Sequence, residues 1–202
     1  MKYIYPPRPE TKIAPASLKM FEDMNKFLAE PKLNGSSLEI YFPELKTWNR
    51  HKTPLFCKIE KDELMNLQKG KGDMILCGEY MNKNCKDELN QYWNIKYVIW
   101  DIIMFEGQHL LGSTFEERYA LLTELYPNNP VKKHLHQISD NCFRVNAIDS
   151  NFLENYQDLT KWDMYEGLVL KRKDGKLENG TTENNNTKTQ IKCRKGTKNY
   201  NF

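Results

Sequence analysis

The chain has 202 residues, 39% hydrophobic and 12% aromatic, with a formal net charge of +3. That length suits one domain with its own core at roughly 100–200 residues per domain, no stretch approaches the ~20 apolar residues of a membrane helix, and the charge is too small for a wholesale polyanion binder. The N-terminus, Met1-Lys2-Tyr3-Ile4-Tyr5-Pro6-Pro7, lacks a secretory signal's apolar region, and Cys57, Cys77, Cys85, Cys142 and Cys193 are scattered without any Cys-x-x-Cys, which argues for reduced thiols in the cytoplasm rather than a disulfide framework or zinc ribbon.

In chain order, residues 6–15 hold four prolines and close an extended lead-in, 1–15. Ser17 is placed to cap a helix whose apolar positions Leu18, Phe21, Met24, Phe27 and Leu28 fall at helical spacing, ending near Pro31. Strands are expected over 36–42, 54–59 and 74–80, with a helix over 61–68. The near-continuous apolar run 97–105 reads as a buried strand followed by a turn at Glu106-Gly107. Thr114, with Glu117 three residues on, has capping-box spacing, and Phe115, Tyr119, Leu122 and Leu125 give that helix its apolar stripe, stopped at Pro127. Two short strands are expected over 131–145, a helix or irregular helix-loop over 152–162 and a strand over 166–172. Residues 173–187 are polar and rich in Asn and read as a flexible loop before a closing strand over 190–195. Strands and helices without regular βαβ alternation predict an α+β fold with largely antiparallel sheets, a single domain over 1–202.

Lys32 stands between an amphipathic segment and an apolar strand, where a turn exposes it, and is the candidate nucleophile. Covalent chemistry at an amine needs its neutral form, and from a reference pKa of ~10.4 deprotonation at neutral pH costs on the order of 4 kcal/mol. Neighbouring cations and partial desolvation lower that cost. Lys192 and Arg194 alternate along one strand, so both face the same way and supply such a field while gripping a phosphate. From 188 to 198 the chain carries Lys188, Lys192, Arg194, Lys195 and Lys198 and no acid. Phosphoryl-type transfer also calls for a divalent cation held by carboxylate. Glu79 and Glu166 are acids set in otherwise apolar strands, an uncommon placement without a partner. Asp101, inside Val98-Ile99-Trp100-Asp101-Ile102-Ile103, is the sharpest anomaly, since unpaired burial is expensive. Trp100 is expected on the opposite face, where a purine gains roughly 1–3 kcal/mol by stacking.

Together these segments resemble the covalent nucleotidyltransferase superfamily of ATP-dependent polynucleotide ligases and mRNA capping enzymes. Lys32-Leu33-Asn34-Gly35 looks like the first motif, Lys-x-Asp-Gly; Glu79 matches the Gly-Glu motif; Trp100-Asp101 looks like the Phe-Asp pair; Glu166-Gly167-Leu168-Val169 matches Glu-Gly-hydrophobic-Val; and Lys192-Cys193-Arg194 is similar to Lys-x-Lys. The resemblance spans roughly 32–195. It implies a nucleotidyltransferase fold with the nucleotide in a cleft between sheets, and attack of Lys32 on ATP with Mg2+ (Mn2+ as substitute) to give lysyl-AMP. AMP then passes to a 5′-phosphate and a 3′-hydroxyl seals the strand. In that scheme Glu166 binds the metal, Glu79 meets the ribose, Trp100 stacks on the base, Asp101 orients, Arg50, Lys192 and Arg194 offset phosphate charge, and Asn34 and Gly35 complete the nucleotide turn.

Asn34 stands where Asp is usual. Some RNA ligases of the T4 RNA ligase 2 type carry histidine there, and the Lys192-Cys193-Arg194-Lys195 run with Lys198 and Phe202 after it resembles that group more than DNA ligases, so the reading leans to RNA over DNA. No oligonucleotide-binding-fold domain is recognisable, which leaves substrate clamping to a partner or missing domain. A monomer with nucleic-acid substrates and no membrane association is expected. The alternatives are a capping-type GTP guanylyltransferase and an inactive nucleotide-binding module.

Overall fold

The structure, a computed structural model, describes residues 3–183 and 185–196. Arg8–Lys12 of the proline-bearing lead-in forms strand β1 at a sheet edge, the one place where proline's missing donor is tolerated. After a short 3-10 turn over Pro15–Ser17, helix α1 covers only Leu18–Asp23. The helix expected to reach Pro31 stops there: Asn25 takes a left-handed conformation at φ 51°, and Phe27–Leu33 is strand β2. A two-residue period wins over the helical one, because Phe27, Ala29, Pro31 and Leu33 are buried on one face.

Ser36–Phe42 forms β3 and Lys46–Trp48 forms β4. The strand expected over 54–59 is irregular, touching β4 through a single Trp48–Pro54 bridge. Helix α2, Lys61–Met65, is shorter than expected. Met74–Met81 (β5) and Lys96–Phe105 (β6) follow, and Glu106-Gly107, at φ 50° and 75°, turns β6 into β7, Gln108–His109. Helix α3, Phe115–Leu125, carries the full capping box from Thr114 and Glu117. Where two strands were expected there are three: β8 (Pro130–Lys132), β9 (Leu135–Gln137) and β10 (Cys142–Val145). Helix α4 is Phe152–Leu159, β11 is Tyr165–Arg172 and β12 is Asn186–Arg194. The polar segment before β12 is stitched into the fold: Leu177 is buried, its N–H donates to Ser113 O, and Gly180 O accepts from Tyr5 N.

One sheet has the order β1-β12-β11-β2; the other runs β4-β3-β5-β6-β10-β9-β8, with β7 on β6. Pairing is antiparallel except β1 with β12 and β10 with β6. This is the α+β arrangement expected. The chain passes from the first sheet to the second through the Asn34-Gly35 turn, one residue beyond β2. No helix among the described residues is long and apolar enough to cross a membrane.

Candidate active site

The two sheets face each other across a cleft of about 440 Å³ lined by Lys32, Arg50, Glu79, Trp100, Lys192 and Arg194, six of the ten residues singled out by sequence. Lys32 lies at the end of β2 rather than in a turn, and Glu30, two residues earlier on the same strand, lines the cleft with it. The Asn34-Gly35 turn runs close under β5. Gly35 N donates to Glu79 Oε1 at 3.0 Å, and a Cβ at Gly35 would lie 2.4 Å from the Tyr80 carbonyl oxygen, so only glycine fits. Loss of water pushes the Glu79 carboxyl up to about 7, against the pull of Lys32 and the Gly35 N–H.

A bulge aims Glu166. On β11, Tyr165 pairs with Leu33 and Gly167 with Lys32, so Glu166 is the extra residue, and its Oε2 forms an ion pair with Lys32 Nζ. Gly167 makes this possible at φ 148°, where a Cβ would meet the Cys193 carbonyl oxygen at 2.1 Å. Beside β11, β12 presents Lys192 and Arg194. Burial lowers the Lys192 pKa, and Arg194, Lys32, Arg8 and Lys12 push it the same way. Arg50 sits exposed at the rim, its Nε donating to His51 Nε2 at 3.0 Å.

At the inner end Trp100 and Val169 line the cleft from different sheets. The expectation that Trp100 and Asp101 face opposite ways fails, because a second bulge intervenes: Cys77 pairs with Asp101 and Gly78 with Ile99, leaving Trp100 unmatched. Ile99 and Ile102 consequently share one apolar cluster, to which neither residue between them belongs. Asp101 does not line the cleft. It accepts from Arg118 Nε and a terminal guanidinium nitrogen at 2.8 and 3.0 Å, and its pKa is lowered by Arg118 and Lys171 despite complete burial. Asn34 also points elsewhere, donating to the Asp163 carbonyl at 3.1 Å and accepting from Lys83 Nζ at 2.9 Å. Lys198 and Phe202 lie outside the described residues.

Sequence reasoning missed a buried pair in the cleft. Lys171 Nζ meets Glu30 Oε2 at 2.6 Å, donates to the Trp100 carbonyl at 2.9 Å and lies 5.0 Å from the Trp100 ring centre. The other Glu30 oxygen, Oε1, is buried without a partner among the described residues, and burial pushes this carboxyl up to about 7. Period-two placement before Lys32 would have found Glu30 once β2 was read as a strand. The lead-in was missed as well: Pro6, Pro7, Arg8, Pro9 and Glu10 form one wall of the cleft. No group of three His, Cys, Asp or Glu among the described residues could hold a metal unaided.

The family model of the ATP-dependent DNA ligase domain matches residues 61–190, more than half of the chain. Among curated proteins none matches in sequence. Among solved structures, mycobacterial DNA ligase D complexed with ATP and MES is 15% identical with a TM-score of 0.65, covering 96% of this chain and 62% of that one. The ligase domain of M. tuberculosis LigD is 16% identical with a TM-score of 0.63, covering 95% and 60%. Chlorella virus DNA ligase-adenylate is 15% identical with a TM-score of 0.56, covering 94% and 67%. The chain thus spans about three fifths of the two LigD structures. The fold is that of the adenylation domain of the nucleotidyltransferase superfamily. The chain belongs to the ATP-dependent DNA ligase domain family.

Proposed function

We propose that this chain is the adenylating core of an ATP-dependent polynucleotide ligase. The observation that carries the reading is the meeting of Lys32 with Glu166, Glu79, Trp100, Lys192 and Arg194 at one cleft, from five separate strands. Lys32 Nζ, freed of its proton, attacks the α-phosphorus of ATP; the bond to the bridging oxygen breaks, pyrophosphate leaves with its electron pair, and a phosphoramide to AMP remains. Lys192, Arg194 and Arg50 offset the phosphate charge. AMP then passes to a 5′-phosphate end, and a 3′-hydroxyl displaces it to seal the strand.

Glu166 is the residue that would hold a Mg2+, which fits a cation that keeps several waters and binds through one or two carboxylates plus substrate phosphates. When bound, such an ion neutralises phosphate charge in the transfer. Glu79 is left to receive the ribose hydroxyls.

The inner end of the cleft favours adenine over guanine. With Oε2 on Lys171 Nζ, the ionised Glu30 carboxylate offers Oε1 as a buried acceptor beside Trp100 without a partner among the described residues, and adenine's 6-amino group donates where guanine's 6-oxo group accepts. As for the polymer, Asn34 and the Lys192-Cys193-Arg194 run lean to RNA, while the family is one of DNA ligases. Nicks differing only in the sugar test that choice.

Incubation with Mg2+ and ATP or GTP, read by intact mass and peptide mapping, tests the chemistry. One AMP on Lys32, absent from Lys32→Ala and not replaced by GMP, is the expected outcome. A GMP adduct would move the reading to a capping-type enzyme. No adduct, with no nucleotide already bound at purification, would make the chain a binding module.

A further inference from the structure

Resting on the reading of this cleft as a nucleotide site, a second question is what holds its N-terminal wall in place. Tyr3 Oη lies 2.7 Å from Glu39 Oε1 and 2.7 Å from the Asn49 carbonyl oxygen. A tyrosine hydroxyl has one proton and can donate only one of these two bonds. The other requires a hydrogen from its neighbour, and a carbonyl has none to give. Glu39 is fully buried, and its second oxygen, Oε2, lies 3.3 Å from Tyr41 Oη. Tyr41 in turn accepts from Ile4 N at 2.9 Å.

We infer that Glu39 is a positioning residue, held as a neutral acid that donates to Tyr3 while Tyr3 donates to Asn49, and that this clasp fixes the segment bearing Pro6, Pro7 and Arg8 as a wall of the nucleotide cleft. From the clasp the chain crosses to the other sheet, bonding through Tyr5 N to Gly180 O at 2.8 Å and then entering β1 at Arg8, whose N–H donates to Asn185 O at 2.9 Å. The wall is anchored at both ends, on β3 by the clasp and on β12 by the ladder.

The surroundings agree with a neutral carboxyl. Burial pushes Glu39 up to about 8, and the groups facing it among the described residues are Tyr3 from the lead-in, Tyr41 on its own strand and Cys77 on β5, with Trp48 opposite on β4. None is a cation. Burial raises all three titratable neighbours, away from neutrality, and the charges that act on Cys77 from beyond are Asp101, ion-paired with Arg118, and Lys171, ion-paired with Glu30. Above about pH 8 Glu39 ionises, the clasp loses its hydrogen, and the wall loosens.

Hydrogen exchange of the Ile4, Tyr5 and Arg8 amides decides this by comparing the wild type with Glu39→Gln, whose amide donates to Tyr3 at every pH. The two are expected to be equally protected near neutral pH, with the wild type exchanging at least about tenfold faster than E39Q at about pH 9. Equal exchange at the higher pH would overturn the clasp. Tyr3→Phe, a change near the chain's start that spares the buried acid, is expected to raise KM for ATP in lysyl-AMP formation several-fold with kcat kept. An unchanged KM would overturn the positioning role. A wild type forming no lysyl-AMP would sink the ATP reading, and the exchange comparison would still decide the clasp.

Discussion

An aspartate 1% exposed in mid-strand is tolerable only with a cation against it, and Asp101 has Arg118 held through two nitrogens. Arg118→Met leaves that carboxylate buried without its ion-pair partner, with only the Ile102 N–H and the field of Lys171 to offset its charge, so we expect a loss of about 3–5 kcal/mol, read from urea unfolding. A loss under about 1 kcal/mol would mean that Asp101 takes up a proton or finds water. Glu30 makes the parallel case in the cleft. Glu30→Gln keeps the shape but turns one end into a donor, and the expected result is a fall in the ATP-over-GTP preference of adduct formation by about tenfold, one missing hydrogen bond's worth. At this scale the sequence was most legible where chemistry and local pattern coincide. Glu79, Glu166, Lys192 and Arg194 announce themselves as charges in apolar or basic strands and Lys32 as a lysine beside a turn, and the fold brings them together. Asp101 announced itself as strongly, yet its charge answers Arg118 and not a ligand, because pairing across 17 residues leaves no mark on either segment.

Among the elements, β3, β5, β6, β11 and α3 were readable within a residue or two, since each carries its own period or cap. β2 was not, because Leu18, Phe21 and Met24 set a helical rhythm into which Phe27 and Leu28 happen to fall. The bulges at Trp100 and Glu166 were equally invisible, being properties of register between strands far apart in sequence. One sets Trp100 at the cleft and the other turns Glu166 onto Lys32, so the bulge is the device that both share. Gly167→Ala tests it: at φ 148° and against the Cys193 carbonyl, the added methyl should cost at least about 2 kcal/mol and suppress adduct formation, measured together by thermal unfolding and mass. Adduct formation at the wild-type rate would show that Glu166 needs no bulge.

The whole molecule concentrates raised acids around one cleft. Glu30 and Glu79 sit at about 7 and Glu39 at about 8, each because burial disfavours its ionised form. Each binds a proton more tightly folded than unfolded, so the stabilisation is complete below the ordinary carboxylate range and is lost as pH rises through 7 to 8. Across that window each acid contributes at most about 1.4 kcal/mol per pH unit. The nucleotide-free protein should therefore lose several degrees of Tm between about pH 7 and 8.5, at roughly 2–4 °C per kcal/mol for a chain this size. A flat profile would place these carboxyls among ordinary solvated ones.

The pairing of β1 with β12 joins the first strand of the chain to the last one described. Because β1 is synthesised before β12, the lead-in wall of the cleft cannot be seated until β12 has followed it out of the ribosome. A cleft that lacks only β12 should then have three sides and no grip, and competence to bind should wait on that one strand rather than grow with each residue added.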